Sequence, residues 1–149
     1  MASIGTNGFP YIQHRGGPAG FLKVIDAATL GFIDFSGNKQ YITTGNIATH
    51  DKVALFMMDY RAKARLKIFA RAEIVALNHR RDLFDRLDLV DYKFKPERMM
   101  LLHVEAFDWN CPQHITERFT VKEVEEALAP QRAYIKQLEM QLAELRSKQ

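Results

Sequence analysis

Residues 66–75 read LKIFARAEIV, and their alternation decides the fold class. Leu66, Ile68, Ala70, Ala72 and Ile74 fall on one face of an extended chain, and Arg65, Lys67, Arg71 and Glu73 on the other, because successive strand residues point to opposite sides. One face is core; the other carries charge. Just upstream, residues 52–60 (KVALFMMDY) are apolar at nearly every position, which predicts a strand covered on both faces.

Further strands follow outward from this pair. Phe21–Asp26 and Leu30–Phe35 predict two strands joined by a tight turn, and Met99–Asp108 a last long one, with Trp109–Phe119 as loop. Asn7-Gly8 between Ile4 and Tyr11 is a hairpin signal, since both turn residues tolerate positive φ, and it leaves only a short first strand. Thr44–Asp51 predicts a short helix or turn. Asn78 is placed to cap a helix with Leu83, Phe84 and Leu87 as its apolar stripe. From Val121 the composition turns helical, with Pro130 suited to open the final helix. Leu128, Ile135, Leu138, Leu142 and Leu145 recur there at heptad spacing, an amphipathic face that needs a partner surface. The expected architecture is mainly β, an antiparallel barrel or sandwich over residues 1–120. Residues 121–149 form a helical extension packing on that body or on a partner subunit.

Composition narrows the function. Apolar residues make up 47% of the 149 and charged residues 26%, ordinary for one folded domain. With a single cysteine, Cys111, no intrachain disulfide forms, which points to the cytoplasm. The opening MASIGTNGFPY has neither the basic start of a signal peptide nor an apolar run long enough for a membrane span. The net charge of +3 comes from dispersed Lys and Arg, which argues against nucleic acid and leaves a phosphate compound as a suitable partner. His14, His50, His79, His103 and His114 show no ligand spacing, so no metal is expected.

Three stretches carry possible chemistry. Gln13-His14-Arg15-Gly16-Gly17 puts donors and a cation beside two glycines, where a ligand could approach the backbone, or where the glycines simply bulge. Ser36–Tyr41 (SGNKQY) with Thr43 and Thr44 offers a lysine and hydroxyls for a phosphate, or an ordinary solvated turn. Arg65 and Lys67 share a strand face and so can reach one anion, or form a wet outer face. Trp109 to His114 brings an indole near Cys111 and His114, but no third group orients a thiolate there. No Walker loop, GxGxxG, GxSxG or HExxH occurs, so catalytic residues stay unassigned.

Taken together, GFPYIQHRGGPAGF, GFIDFSGNKQYITTGN, KVALFMMDY, RLKIFARAEIV and DWNCPQHITERF, spanning about Gly8 to Phe119, resemble the pyridoxamine 5'-phosphate oxidase-like, FMN-binding split-barrel family, closest to its flavin-nucleotide-binding branch. The resemblance implies a six-stranded antiparallel split β-barrel and a homodimer holding FMN at the interface. It further implies a flavoprotein oxidoreductase whose small-molecule substrate is unknown; the alternative is a non-catalytic module that stores or senses a flavin or haem. By position, Gln13 stands where the oxidases have an arginine, removing one phosphate cation. His14, Arg15 and Gly16 fall along the flavin. Asn38, Lys39 and Gln40, with Thr43 and Thr44 competing, resemble the segment that holds the phosphate. Arg65, with Lys67 on the same face, stands where the family has a flavin-contacting glutamine, and its charge could replace the one lost at Gln13. Trp109 and Arg118 resemble residues reaching the flavin from the second subunit. Gln113 to Thr116 lack the oxidases' substrate-gripping Arg-x-His, so pyridoxamine phosphate oxidation itself is not expected. The family also carries an upstream helix and a fuller first strand.

Overall fold

In the computed structural model, which describes residues 1–110 and 113–147, seven strands build one sheet. They are β1 (Ala2–Ile4), β2 (Pro10–Ile12), β3 (Lys23–Asp26), β4 (Thr29–Phe35), β5 (Lys52–Asp59), β6 (Ala64–Val75) and β7 (Pro96–Asn110). Three helices accompany them: α1 (Ile42–Thr49), α2 (Arg81–Leu87) and α3 (Val121–Ser147). The strand order is β2-β1-β5-β6-β7-β4-β3, and the β1/β2, β1/β5, β3/β4, β4/β7 and β6/β7 pairings are antiparallel. The mainly β expectation is met. The sheet has seven strands rather than six, because the three-residue β1 is held by neighbours on both sides. β2 and β3 are its edges, and among the described residues no pairing joins them to close a barrel.

The Asn7-Gly8 turn forms as expected. Gly8 takes φ 81°, its amide donates to Gly5 O at 2.9 Å, and Asn7 Oδ1 accepts from the Phe9 amide at 3.1 Å.

The core lies on both faces of the central strands. Phe32, Val53, Leu55, Ile68, Ala70, Ala72, Met100 and Leu102 pack with Ile47 of α1, whereas Ile33, Val75, Met99 and Leu101 pack with Leu83 and Leu87 of α2. Within one copy, β4 and β7 are the strands that contribute to both clusters along their length. In β5, Val53 and Leu55 are buried while Phe56 is 56% exposed. Gly31 makes the α2 contact possible: a Cβ there would stand 3.1 Å from Leu87 Cδ2.

Two helix starts differ from expectation. Arg80, not Asn78, precedes α2, and no side chain caps it; Arg80 instead grips Asp82 of the first turn at 2.8 and 3.0 Å. α3 begins at Val121 rather than Pro130, which sits inside it. The reason is a capping box: the Glu123 amide donates to Thr120 Oγ1 at 3.3 Å and Glu123 Oε2 accepts from the Thr120 amide at 2.8 Å.

The chain divides into two compact units, Met1–Met58 with Arg65–Cys111, and Asp59–Ala64 with Pro112–Gln149. The 59–64 turn belongs with the helical segment in the second unit. Within that second unit Arg61 meets Glu123 at 3.1 Å and Lys63 meets Glu117 at 3.6 Å. No residue of α3 is buried.

Candidate functional site

The start of α1 is unusual. Tyr41 precedes it in the left-handed region (φ 52°, ψ 21°) without a capping side chain, and its first turn carries no acidic residue. Lys39, two residues earlier, is also left-handed (φ 58°). The first amides of such a helix lack intrahelical partners and carry the positive end of its dipole.

Around this start lies a cavity of about 40 Å³ lined by Gln13, Arg15, Asp34, Lys39, Tyr41, Thr43, Thr44 and Glu97, with the Phe35–Asn38 turn at its rim. Gln13 is fixed from both directions by backbone bonds to Met1 at 2.9 Å. Its Oε1 accepts from Thr43 Oγ1 at 2.6 Å and from Arg15 Nη2 at 3.3 Å. Arg15 Nη1 donates to Asp34 Oδ1, and Arg15 Nε is buried without a partner among the described residues.

Behind the cavity stands Arg98 of β7, whose side chain is 15% exposed. It donates through Nη1 to Thr44 Oγ1 at 2.6 Å and through Nη2 to Glu97 Oε2 at 2.7 Å. Its Nε lies 3.9 Å from Asp34 Oδ2, and the guanidinium sits 4.7 Å from the Tyr41 ring centroid. Tyr41 in turn donates its hydroxyl to Glu97 Oε1 at 3.1 Å.

Burial pushes the Asp34 carboxyl above its ordinary value, and Arg15 and Arg98 pull it part of the way back. For Glu97, burial acts upward but is outweighed by hydrogen bonds from Ser36 and Tyr41 and by the charges of Arg98 and Lys39, so its carboxyl is held low. Arg15 and Arg98 are thereby matched to Asp34 and Glu97. The Lys39 ammonium, the α1 amides and the Thr44 hydroxyl, whose oxygen accepts from Arg98 and whose proton is left over, remain to receive an anion.

A second cleft of about 240 Å³ shares Gln13, Arg15, Asp34 and Phe35 with the cavity and adds His14, Gly16, Phe21 and Phe32. Gly17 is needed for close packing by the chain itself, whereas at Gly16 the exposed His14 ring could turn aside. A Cβ on Gly16 would meet the His14 ring at 2.7 Å, and one on Gly17 would meet Phe21 Cβ at 2.8 Å.

Of the residues expected at the site, Gln13, His14, Arg15, Gly16, Asn38, Lys39 and Thr43 come together in these two adjoining spaces, as does Thr44. Gln40 does not line them; its amide closes a turn on Asn38 Oδ1 at 3.2 Å. Lys67 lies apart, 3.4 Å from Asp108, in a groove of about 190 Å³ with Ile12, Phe56 and Phe69. Arg65 faces the same side of β6, opposite Asn110 in register, and lines neither space.

Trp109 belongs to β7 rather than to a loop. A bulge at Glu105, between the Ala70–Val104 and Phe69–Ala106 pairs, brings Phe107 opposite Ile68 and Trp109 opposite Leu66. These four line an apolar cleft of about 270 Å³ with Leu30 and Val104. Arg118 belongs to the second unit, its guanidinium 5.0 Å from the Tyr60 ring centroid. Cys111 lies outside the described residues.

Asp34, Tyr41, Glu97 and Arg98 went unanticipated. The signal for Asp34 was a single charge between Ile33 and Phe35 in an apolar run; a carboxylate there requires cations. Among the described residues no cluster of His, Cys, Asp or Glu could hold a metal ion, and no helix is long and apolar enough to cross a membrane.

No protein-family model and no curated protein matches the sequence. Solved structures do. HupZ of Group A Streptococcus superposes with a TM-score of 0.55 at 18% identity, over 79% of this chain and 86% of that one. A Clostridium acetobutylicum protein related to general stress protein 26 of B. subtilis, of the pyridoxinephosphate oxidase family, gives 0.52 at 15% identity, over 83% and 84%. A pyridoxamine 5'-phosphate oxidase candidate from Lactobacillus delbrueckii gives 0.51 at 21% identity, over 72% and 79%. The chain has the fold of the pyridoxamine 5'-phosphate oxidase-like proteins. At these identities the likeness is one of fold, and the cavity at α1 is a property of this chain's own residues.

Proposed function

We propose that the chain is an FMN-binding flavoprotein oxidoreductase, a split-barrel homodimer of the cytoplasm. The observation that carries the reading is the cavity at the start of α1, where Lys39, Thr44 and the uncapped amides present donors to a phosphate while Arg15 and Arg98 are already matched by carboxylates. The phosphate of FMN occupies that cavity, and the flavin extends into the adjoining cleft beside His14, Arg15 and Gly16. FMN, when bound, supplies the redox chemistry; the chain fixes the phosphate and shapes the cleft. A second copy covers the exposed Phe56 and Phe69, and Trp109 and Arg118 serve the partner's flavin. Purified protein should quench the fluorescence of added FMN at micromolar concentration; unchanged fluorescence, with no flavin absorbance, sinks the reading.

One observation favours a non-catalytic flavin or haem module instead. Both carboxylates of the cavity, Asp34 and Glu97, are engaged by arginines, so neither is free as a base. Mixing the reduced protein with oxygen, quinones and nicotinamide cofactors separates the readings, since a store or sensor shows no turnover.

A further inference from the structure

We propose that Arg98 is a positioning residue that makes the site selective for a phosphorylated over an unphosphorylated flavin; this rests on the FMN reading. Arg98 is absent from the lining of the cavity, yet Asp34, Tyr41, Thr44 and Glu97, which all line it, are its direct partners. A guanidinium is a rigid planar fork, and here its prongs reach different elements: Thr44 on α1, and Glu97 beside it on β7. Its edge faces Asp34 on β4 and its plane lies by the Tyr41 ring.

The contacts converge on the segment that most needs fixing. Lys39 and Tyr41 both hold left-handed backbone, a conformation that residues with a Cβ seldom adopt unless their surroundings impose it. The same segment aims the Lys39 ammonium and the first α1 amides. Tyr41 is held twice, by its ring against Arg98 and by its hydroxyl on Glu97, which Arg98 also binds. Thr44, in the first turn of α1, takes the shortest of the Arg98 hydrogen bonds at 2.6 Å. Arg98 therefore sets where the helix start points without touching the ligand. Such a residue affects only the part of the ligand that the helix start receives, namely the phosphate.

The test is the ratio of FMN to riboflavin affinity, read from quenching of each flavin's fluorescence in wild type, Arg98→Met, Arg98→Lys, Thr44→Val and the Arg98→Met/Thr44→Val double variant. Arg98→Met should lower the ratio on the order of tenfold, the worth of one charge-assisted hydrogen bond, with riboflavin affinity nearly unchanged. Arg98→Lys keeps the charge but not the fork and should lower it as well. The double variant should lose less than the product of the single losses, because Arg98 acts through Thr44. Parallel loss of both flavins, an unchanged ratio, or strictly multiplicative losses overturns the role. If Arg98→Met does not fold, Arg98→Lys carries the test: a lowered ratio with riboflavin affinity nearly unchanged supports the role, and an unchanged ratio overturns it. Wild type that binds FMN and riboflavin alike overturns the phosphate reading itself, and this role with it.

Discussion

Thr43 Oγ1 donates to Gln13 Oε1 across 2.6 Å, tying the first turn of α1 to the residue that follows β2. Thr43 is 1% exposed, so the bond is made away from water, and Gln13 accepts where an arginine could only donate. Gln13 thus acts as a clasp on the helix start. Thr43→Val should cost about 1 kcal/mol, by leaving Gln13 with only its weaker contact to Arg15. Urea unfolding should show a lower midpoint at unchanged slope, with Thr43→Ser close to wild type.

Lys39 combines strain with the uncompensated charge of the cavity. Replacing it by glycine frees a backbone at φ 58° and should raise stability by up to about 1 kcal/mol. The same change removes the ammonium and should weaken FMN on the order of tenfold, while flattening the salt dependence of binding. A Lys39→Gly protein that keeps wild-type FMN affinity would show that the anion sits elsewhere.

Asp34 gives a pH dependence of definite sign. Its folded carboxyl is raised by burial despite Arg15 and Arg98, so the folded state holds its proton to higher pH than the unfolded chain. The stability this adds is fully present below the unfolded value and is lost as pH rises through the folded one. Asp34→Asn, which cannot ionise, should match wild type in acid and gain on it as pH rises; denaturation midpoints across that range measure the difference. A wild type that gains on the variant with rising pH refutes the account.

Much of this was legible from the residues, for physical reasons. β6 followed from strict alternation, and the Asn7-Gly8 hairpin from turn chemistry, because both signals are local. The double burial of β4 and β7 was not, since it depends on α2 arriving from 46 positions beyond Phe35 to set Leu83 and Leu87 against the sheet. Trp109 reads as loop in the sequence because a bulge at Glu105 changes which face later residues occupy and breaks the alternation that marks a strand. The cavity was half visible: Gln13, Arg15 and Lys39 are marked by their surroundings, whereas Glu97 and Arg98 enter only through the β4–β7 register, which places Arg98 opposite Asp34.

Asp82 has the opposite sign to Asp34. Hydrogen bonds from Arg80 bring its carboxyl from 3.8 down to about 2, so its contribution is present above 3.8 and fades as pH falls towards 2. Wild type should exceed Asp82→Asn in stability at neutral pH, and the two should converge below that window. A gap that persists in strong acid would mean that the residue acts by something other than its charge.

Phe56 and Phe69 are 56% and 50% exposed and share a groove with Ile12, Ala54 and Lys67. Large apolar side chains gathered on one strand face mark an association surface more often than free solvent contact. A two-fold axis sets such a patch against its own copy, so one substitution acts twice in the dimer. Phe56→Asp and Phe69→Asp should each place two like charges in that contact and shift the protein to monomer by light scattering, with its β circular dichroism retained. Deleting residues after Ala129 should leave the dimer intact, because the contact belongs to the sheet. Wild-type protein that is monomeric at micromolar concentration, or a dimer lost only on that deletion, would move the interface away from β5 and β6.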